Sequence, residues 1–236
     1  MSSLKFPGLL NVRELGGHPT RDGAKTRTHS LLRADDLVQL TEEGMQALAD
    51  YGVRTVIDLR WPGEVAARTH PVAAGNSHGV RYHHISLLAD DEMEWASRSG
   101  ALTKETWKIA VLEHTRPQLK NVLDVIADAA AEPLLFHCVA GKDRTGLIAA
   151  LLLALADVEP DAIAADYAAS TAHLTDAYLL RYPDLDRAEI FEALRCPEEG
   201  VHNMLAYLAQ YGGAAGYLRA IGLSDARIAR LRARLR

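Results

Sequence analysis

The chain has 236 residues, 48% of them hydrophobic, and a formal net charge of −5. That is enough apolar material for a sizeable core, and its only cysteines, Cys138 and Cys196, exclude a disulfide framework. The acidic balance argues against general nucleic-acid binding, and no run reaches the roughly twenty apolar residues of a membrane span. In chain order, the residues from Met1 to Gly8 lack the long apolar core of a signal peptide. Thr41-Glu42-Glu43 predicts a helix start with acids in its first turn; Met45, Leu48 and Ala49 give its apolar side and Gly52 its end. Residues 53–59 predict a strand, and Trp61-Pro62-Gly63-Glu64 a turn and helix start. A second strand is expected over 80–87, ahead of the acidic loop Ala89-Asp90-Asp91-Glu92.

Leu119, Val122, Leu123, Ile126 and Ala127 share one helical face. Leu134-Leu135-Phe136 is a short apolar strand behind Pro133, and residues 147–153 are an apolar helix-former run. After Ala156 only helices are expected, begun by Pro160, Pro197 and Ser224, with Val201, Met204, Leu205 and Leu208 forming a further stripe. The Arg-rich tail, 227–236, reads most simply as a solvated helix face. Strands alternating with helices predict an α/β fold with a mainly parallel central sheet flanked by helices and a helical C-terminal third. With no repeat or low-complexity stretch, residues 1–236 read as one domain.

The most informative segment is His137-Cys138-Val139-Ala140-Gly141-Lys142-Asp143-Arg144-Thr145-Gly146, a Cys-x5-Arg loop between a buried strand and a helix. Backbone N–H groups of Val139, Ala140, Gly141 and Lys142, converging on a helix N-terminus, suit a dianionic phosphate. Thr145 and Gly146 continue the cradle. The same field favours thiolate over thiol at Cys138, giving a nucleophile. Arg144 offers a planar fork for two phosphoryl oxygens. Thr145 has two readings: a hydroxyl donor to the departing sulfur, or a plain N-cap. Gly141-Lys142 is followed by Asp143 rather than Ser or Thr, which excludes the nucleotide-binding P-loop. A rhodanese-like sulfurtransferase and a phosphate-binding module without turnover remain as alternatives. A merely packed cysteine leaves Arg144 and the glycines unexplained.

The loop resembles that of the cysteine-dependent protein tyrosine phosphatase superfamily, specifically its bacterial branch of tyrosine and dual-specificity enzymes with Gly-Lys-Asp-Arg-Thr-Gly. Asn11-Val12-Arg13-Glu14-Leu15-Gly16-Gly17, Leu32-Arg33-Ala34-Asp35, Val56-Ile57-Asp58-Leu59-Arg60 and the stretch from Tyr211 to Ser224 are similar to the same branch. The resemblance implies hydrolysis of phosphotyrosine, with phosphoserine and phosphothreonine as further substrates, through a cysteinyl-phosphate. Phosphoinositides are the alternative substrate, since Lys142 beside Arg144 adds a second cation. It also implies a helical lid over about 162–195, and a cytoplasmic location or export without a recognisable signal.

For the general acid the resemblance favours Asp143, although its neighbours Lys142 and Arg144 favour the charged carboxylate. Asp90 or Asp91 lie where other tyrosine phosphatases carry a mobile acid loop. Asp58, at a strand's C-terminal end, reads as a salt-bridge or capping residue before a catalytic one. His137 is expected to orient the loop. Cys196 reads as a packing residue, with a protective disulfide to Cys138 as the other option. No cofactor or metal is expected: His83 and His84 point to opposite faces of a strand, and His70 and His78 lack paired ligand spacing.

Overall fold

The computed structural model describes residues 4–75, 78–88, 103–129, 131–181, 184 and 186–236. Among these, β1 (Arg13–Glu14), β2 (Leu31–Ala34), β3 (Thr55–Asp58), β4 (Arg81–His84) and β5 (Leu134–His137) form one sheet in the order β1-β2-β5-β3-β4. Only β1 and β2 pair antiparallel. The middle strand, β5, is hydrogen-bonded on both sides, so the loop that follows it starts from the best-fixed point of the sheet.

Side chains of β5 alternate between two apolar layers. Leu134 and Phe136 join Leu31 and Ile57 on one face, while Leu135 joins Leu32, Val56 and Leu48 on the other. Burial on both faces is why these strands read as unbroken apolar runs rather than as alternating patterns.

The helices are α1 (Glu42–Asp50), α2 (Pro62–Ala67), α3 (Trp107–His114), α4 (Arg116–Asp128), α5 (Asp143–Leu155), α6 (Pro160–Arg181), α7 (Arg187–Leu194), α8 (Glu199–Ala209), α9 (Ala214–Ala220) and α10 (Asp225–Ala233). Thr41 caps α1 by accepting from the Gly44 N–H at 3.1 Å. All five apolar positions expected on α4 are buried. The α5 helix is enclosed on every side from Thr145 to Leu153, which is why its sequence carries no polar stripe. After β5 the described residues are helical or loop, and no described helix is long and apolar enough to cross a membrane.

Several elements differ from the expectations above. The strands β3 and β4 are shorter than 53–59 and 80–87. β2 was hidden because Arg33, fully buried within it, interrupts the apolar pattern. The Arg-rich tail is not simply solvated. Arg227 and Arg230 of α10 pair with Asp124 and Asp128 of α4, and the guanidinium of Arg234 is buried against the Ser30 and Glu132 carbonyls. That end of the chain ties α10 to α4 and to the start of β5. Asp90 and Asp91 lie outside the described residues.

Candidate active site

Cys138 follows β5 directly and is only 2% exposed, at the base of the loop. Gly141 makes the bend. Its φ of +63° is unfavourable for other residues, and a Cβ there would lie 2.4 Å from the Ala34 carbonyl oxygen.

The carbonyls of the loop are all occupied. Cys138 O meets His137 Nδ1 at 3.2 Å, and Val139 O accepts from the Asp36 N–H at 2.9 Å. Ala140 O and Gly141 O accept from the Asn11 amide at 2.9 and 3.2 Å, and Gly141 O also accepts from Arg33 at 2.8 Å. Lys142 O accepts from the Gly146 N–H. In a trans peptide each carbonyl opposes the next residue's N–H, so tying these carbonyls outward turns the N–H groups of residues 139 to 143 inward. The anion cradle is thus built by what holds its back.

That brace is itself anchored. Arg13 donates to Asn11 Oδ1, which orients the Asn11 amide, and to Asp166 at 3.1 Å. Arg33 is fully buried and pairs with the other Asp166 oxygen. Burial raises the cost of the Asp166 charge, but Arg33 and then Arg13 outweigh it and hold its carboxyl below the usual range. One carboxylate on α6 therefore secures two guanidiniums that fix the loop.

Arg144 is gripped by Glu64, with Nη1–Oε2 at 2.6 Å and Nη2–Oε1 at 2.9 Å, a bidentate pair at the mouth of the loop. Burial is outweighed by this partner, so Arg144 stays charged. Glu64 is set in turn by accepting from the Trp61 N–H at 2.9 Å. The turn and helix start of Trp61-Pro62-Gly63-Glu64 is the support of Arg144, a role that the sequence alone did not assign.

The remaining loop residues divide. Asp143 is half-exposed, with Oδ1 accepting from the Tyr167 hydroxyl at 3.1 Å and Oδ2 lying 3.6 Å from Lys142 Nζ. Lys142, not Thr145, is the N-cap residue of α5. Among the described residues the buried Thr145 hydroxyl has no hydrogen-bond partner, so it neither caps the helix nor bonds the Cys138 sulfur here. A Cβ on Gly146 would lie 2.8 Å from the Tyr167 ring.

His137 and Asp58 sit behind the loop rather than in it. Asp58 is fully buried and accepts from Arg60, Tyr82 and His70 at 2.7, 3.0 and 3.3 Å. Burial pushes its carboxyl up, but His70 and Arg60 prevail and hold it well below the usual range. Burial pushes His137 down to about 4, so the imidazole is neutral near pH 7, with Nδ1–H toward Cys138 O. Donor atoms of Asp58, His70 and His137 lie within 4.8 Å of one another, a juxtaposition that the histidine spacing did not suggest. The guanidinium of Arg60 on Asp58 opposes a second cation there.

A buried thiol under an inward-facing N–H cradle, with a clamped arginine at its rim, is equipped to bind and attack a phosphoryl group. A model of the tyrosine phosphatase family matches residues 4–236. The chain belongs to that family. It is 36% identical to a tyrosine-protein phosphatase of Nostoc commune, over 87% of this chain and 74% of the relative. It is 27% identical to the triple specificity protein phosphatase PtpB of Mycobacterium tuberculosis, over 98% of each. Among solved structures, P. aeruginosa TpbA is similar at 16% identity and a TM-score of 0.37, over 71% of this chain and 87% of that one.

As a tyrosine phosphatase the enzyme acts on phosphotyrosine. A cleft of about 910 Å³ lies between the N-terminal segment and α6, lined by residues that include Leu4, Phe6, Arg13 and His18, and neither Cys138 nor Arg144 borders it. Both cysteines are free, and Cys196 is buried, its N–H donating to Thr171 Oγ1 at 2.9 Å. Sequence reasoning missed roles for Asn11, Arg13, Arg33, Glu64, Asp166 and Tyr167. Only Asn11-Val12-Arg13 and Leu32-Arg33 carried a signal, as family-like motifs without an assigned job.

Proposed function

We propose that this tyrosine phosphatase works through Cys138 as nucleophile, with Arg144 and the loop N–H groups stabilising the phosphoryl oxygens and Asp143 as the proton donor. The S–P bond forms as the P–O bond to tyrosine breaks, and the Asp143 proton goes to the leaving oxygen. Water then attacks phosphorus and gives a proton back to Asp143, and the S–P bond breaks to restore the thiolate. The observation that carries this reading is the set of hydrogen bonds that occupy the loop carbonyls, which supports an arrangement with the N–H groups free to receive the phosphoryl oxygens.

The depth of Cys138 supports the long phosphotyrosine side chain over phosphoserine and phosphothreonine. Lys142 is only 8% exposed and directed at Asp143, so its charge is less available to a multiply phosphorylated inositol head group than the sequence suggested. Phosphoinositides therefore stand second. A helical lid over about 162–195 remains part of the proposal; Asp166, Tyr167 and Ser170 in the first half of α6 hold Arg33, Asp143 and Arg13, which favours the outer end of α6 and α7 as its moving part.

Initial-rate hydrolysis of phosphotyrosine, phosphoserine and phosphatidylinositol-phosphate substrates by wild type and Cys138→Ser tests this. The expected outcome is a preference of about 10²-fold or more in kcat/KM for phosphotyrosine, abolished in the variant. Equal rates on the lipid would overturn the substrate assignment, and turnover by Cys138→Ser would overturn the nucleophile.

A further inference from the structure

Lys108 presents a physical problem. It is fully buried on α3, and among the described residues its ammonium has no hydrogen-bond acceptor. A buried cation without a partner is costly, and burial pushes this one down to about 8, which still leaves it mostly charged at neutral pH. What it does have is the face of the Tyr167 ring, with Nζ 3.4 Å from the centroid.

Tyr167 is placed between that cation and the catalytic loop. Its ring lies against Gly146, where a Cβ would come within 2.8 Å, and its hydroxyl donates to Asp143 Oδ1 at 3.1 Å. Burial, and then the charge on Asp143, push the hydroxyl well above its ordinary range, so it remains a donor. The far oxygen of Asp143, Oδ2, is the one near Lys142. Asp143 is otherwise half-exposed and on the first turn of α5, where a short side chain has several rotamers open to it.

We propose that Tyr167 is a positioning residue for the proton donor Asp143, restricting its carboxyl by committing Oδ1 so that Oδ2 is the oxygen left to carry the proton, and that Lys108 holds Tyr167 in register by lying across its ring. This rests on the reading of Asp143 as the acid. Tyr167 also stabilises the carboxylate that remains after the proton has left, so its effect belongs to the step in which the P–O bond breaks. Because α3 supplies Lys108 and α6 supplies Tyr167, two helices outside the loop would set the geometry of the acid within it.

The decisive experiment measures kcat/KM for a series of aryl phosphates of graded leaving-group basicity, which reports the bond-breaking step, in wild type, Tyr167→Phe, Asp143→Asn and the double variant, with Lys108→Met alongside. Phenylalanine keeps the ring against Gly146 and Lys108 and removes only the hydroxyl; thermal unfolding verifies that the fold is retained. We expect Tyr167→Phe to lose about tenfold on the poorest leaving groups and little on the best, a part of the ~10²-fold or larger loss expected for Asp143→Asn. The double variant should be no slower than Asp143→Asn alone, and Lys108→Met should show a smaller loss with the same leaving-group dependence. A uniform loss across the series, or losses that multiply in the double variant, would overturn the positioning role while leaving Asp143 as the acid. A flat response of Asp143→Asn itself would remove the acid assignment, and this inference with it.

Discussion

Arg144 illustrates how a single side chain is prepared before substrate arrives. Its fork is held in plane by Glu64, so in the proposed mechanism little rotamer freedom is lost on binding phosphate oxygens through its remaining N–H groups. Arg144→Lys keeps the charge and loses the fork, and we expect kcat on phosphotyrosine to fall ~10²-fold or more. Glu64→Gln keeps shape and one hydrogen bond but loses the charge pairing; a drop of about tenfold in kcat/KM, expressed mainly in KM, is expected in steady-state kinetics. Cys138 and Arg144 stand out in the sequence as candidates because a thiol and a guanidinium at that fixed spacing, on a glycine-bent strand-to-helix loop, suit little chemistry besides phosphate. Glu64 was not, because its importance arises only when α2 is packed against the loop, 80 residues away in sequence. Asp58 was legible only in its modest role, as the carboxylate of a buried ion pair.

At the level of elements, the strand-loop-helix unit of β5 and α5 is fixed from behind by residues distant in the chain: Asn11, Arg13 and β2's Arg33, themselves tied to α6. Asp166→Ala leaves two buried guanidiniums without their carboxylate, and equilibrium denaturation should give a loss of about 3–5 kcal/mol, with phosphatase activity falling in parallel. Gly141→Ala forces a Cβ into the Ala34 carbonyl at a positive φ; we expect activity to collapse while α1 and its cap remain intact by hydrogen exchange. The apolar runs of β3 and β5 and the helical period of α4 identified those elements, because each buries a regular face. β2 escaped because one buried arginine cannot be told from a surface arginine until its partner on α6 is known.

For the whole molecule, buried carboxylates set how stability follows pH. Asp35 accepts from the Leu10 and Asn11 N–H groups with one oxygen, yet burial, the largest influence, raises it to about 6. Its folded value exceeds the unfolded one of ~4, so its charged form destabilises the fold above pH ~6, and that loss is recovered as pH falls towards ~4. Asp35→Asn keeps an acceptor for both N–H groups and should gain on the order of 2 kcal/mol at pH 7, a gain that vanishes near pH 4 in urea denaturation. Asp166 acts in the opposite sense: held low by Arg33 and Arg13, it stabilises above the unfolded value and that contribution is lost as pH falls through its folded one. The α/β class and the helical C-terminal third followed from the order of apolar segments, whereas the anchoring of the basic tail depends on Asp124 and Asp128 of α4, far earlier in the chain.

The most direct test of the proposed chemistry is rapid-quench trapping of the enzyme with a radiolabelled phosphotyrosine peptide, followed by peptide mapping under acid conditions. Label on the fragment holding Cys138, formed in a burst and absent from Cys138→Ser, is the predicted result. Full turnover with no label on Cys138, or label on another residue, would contradict it.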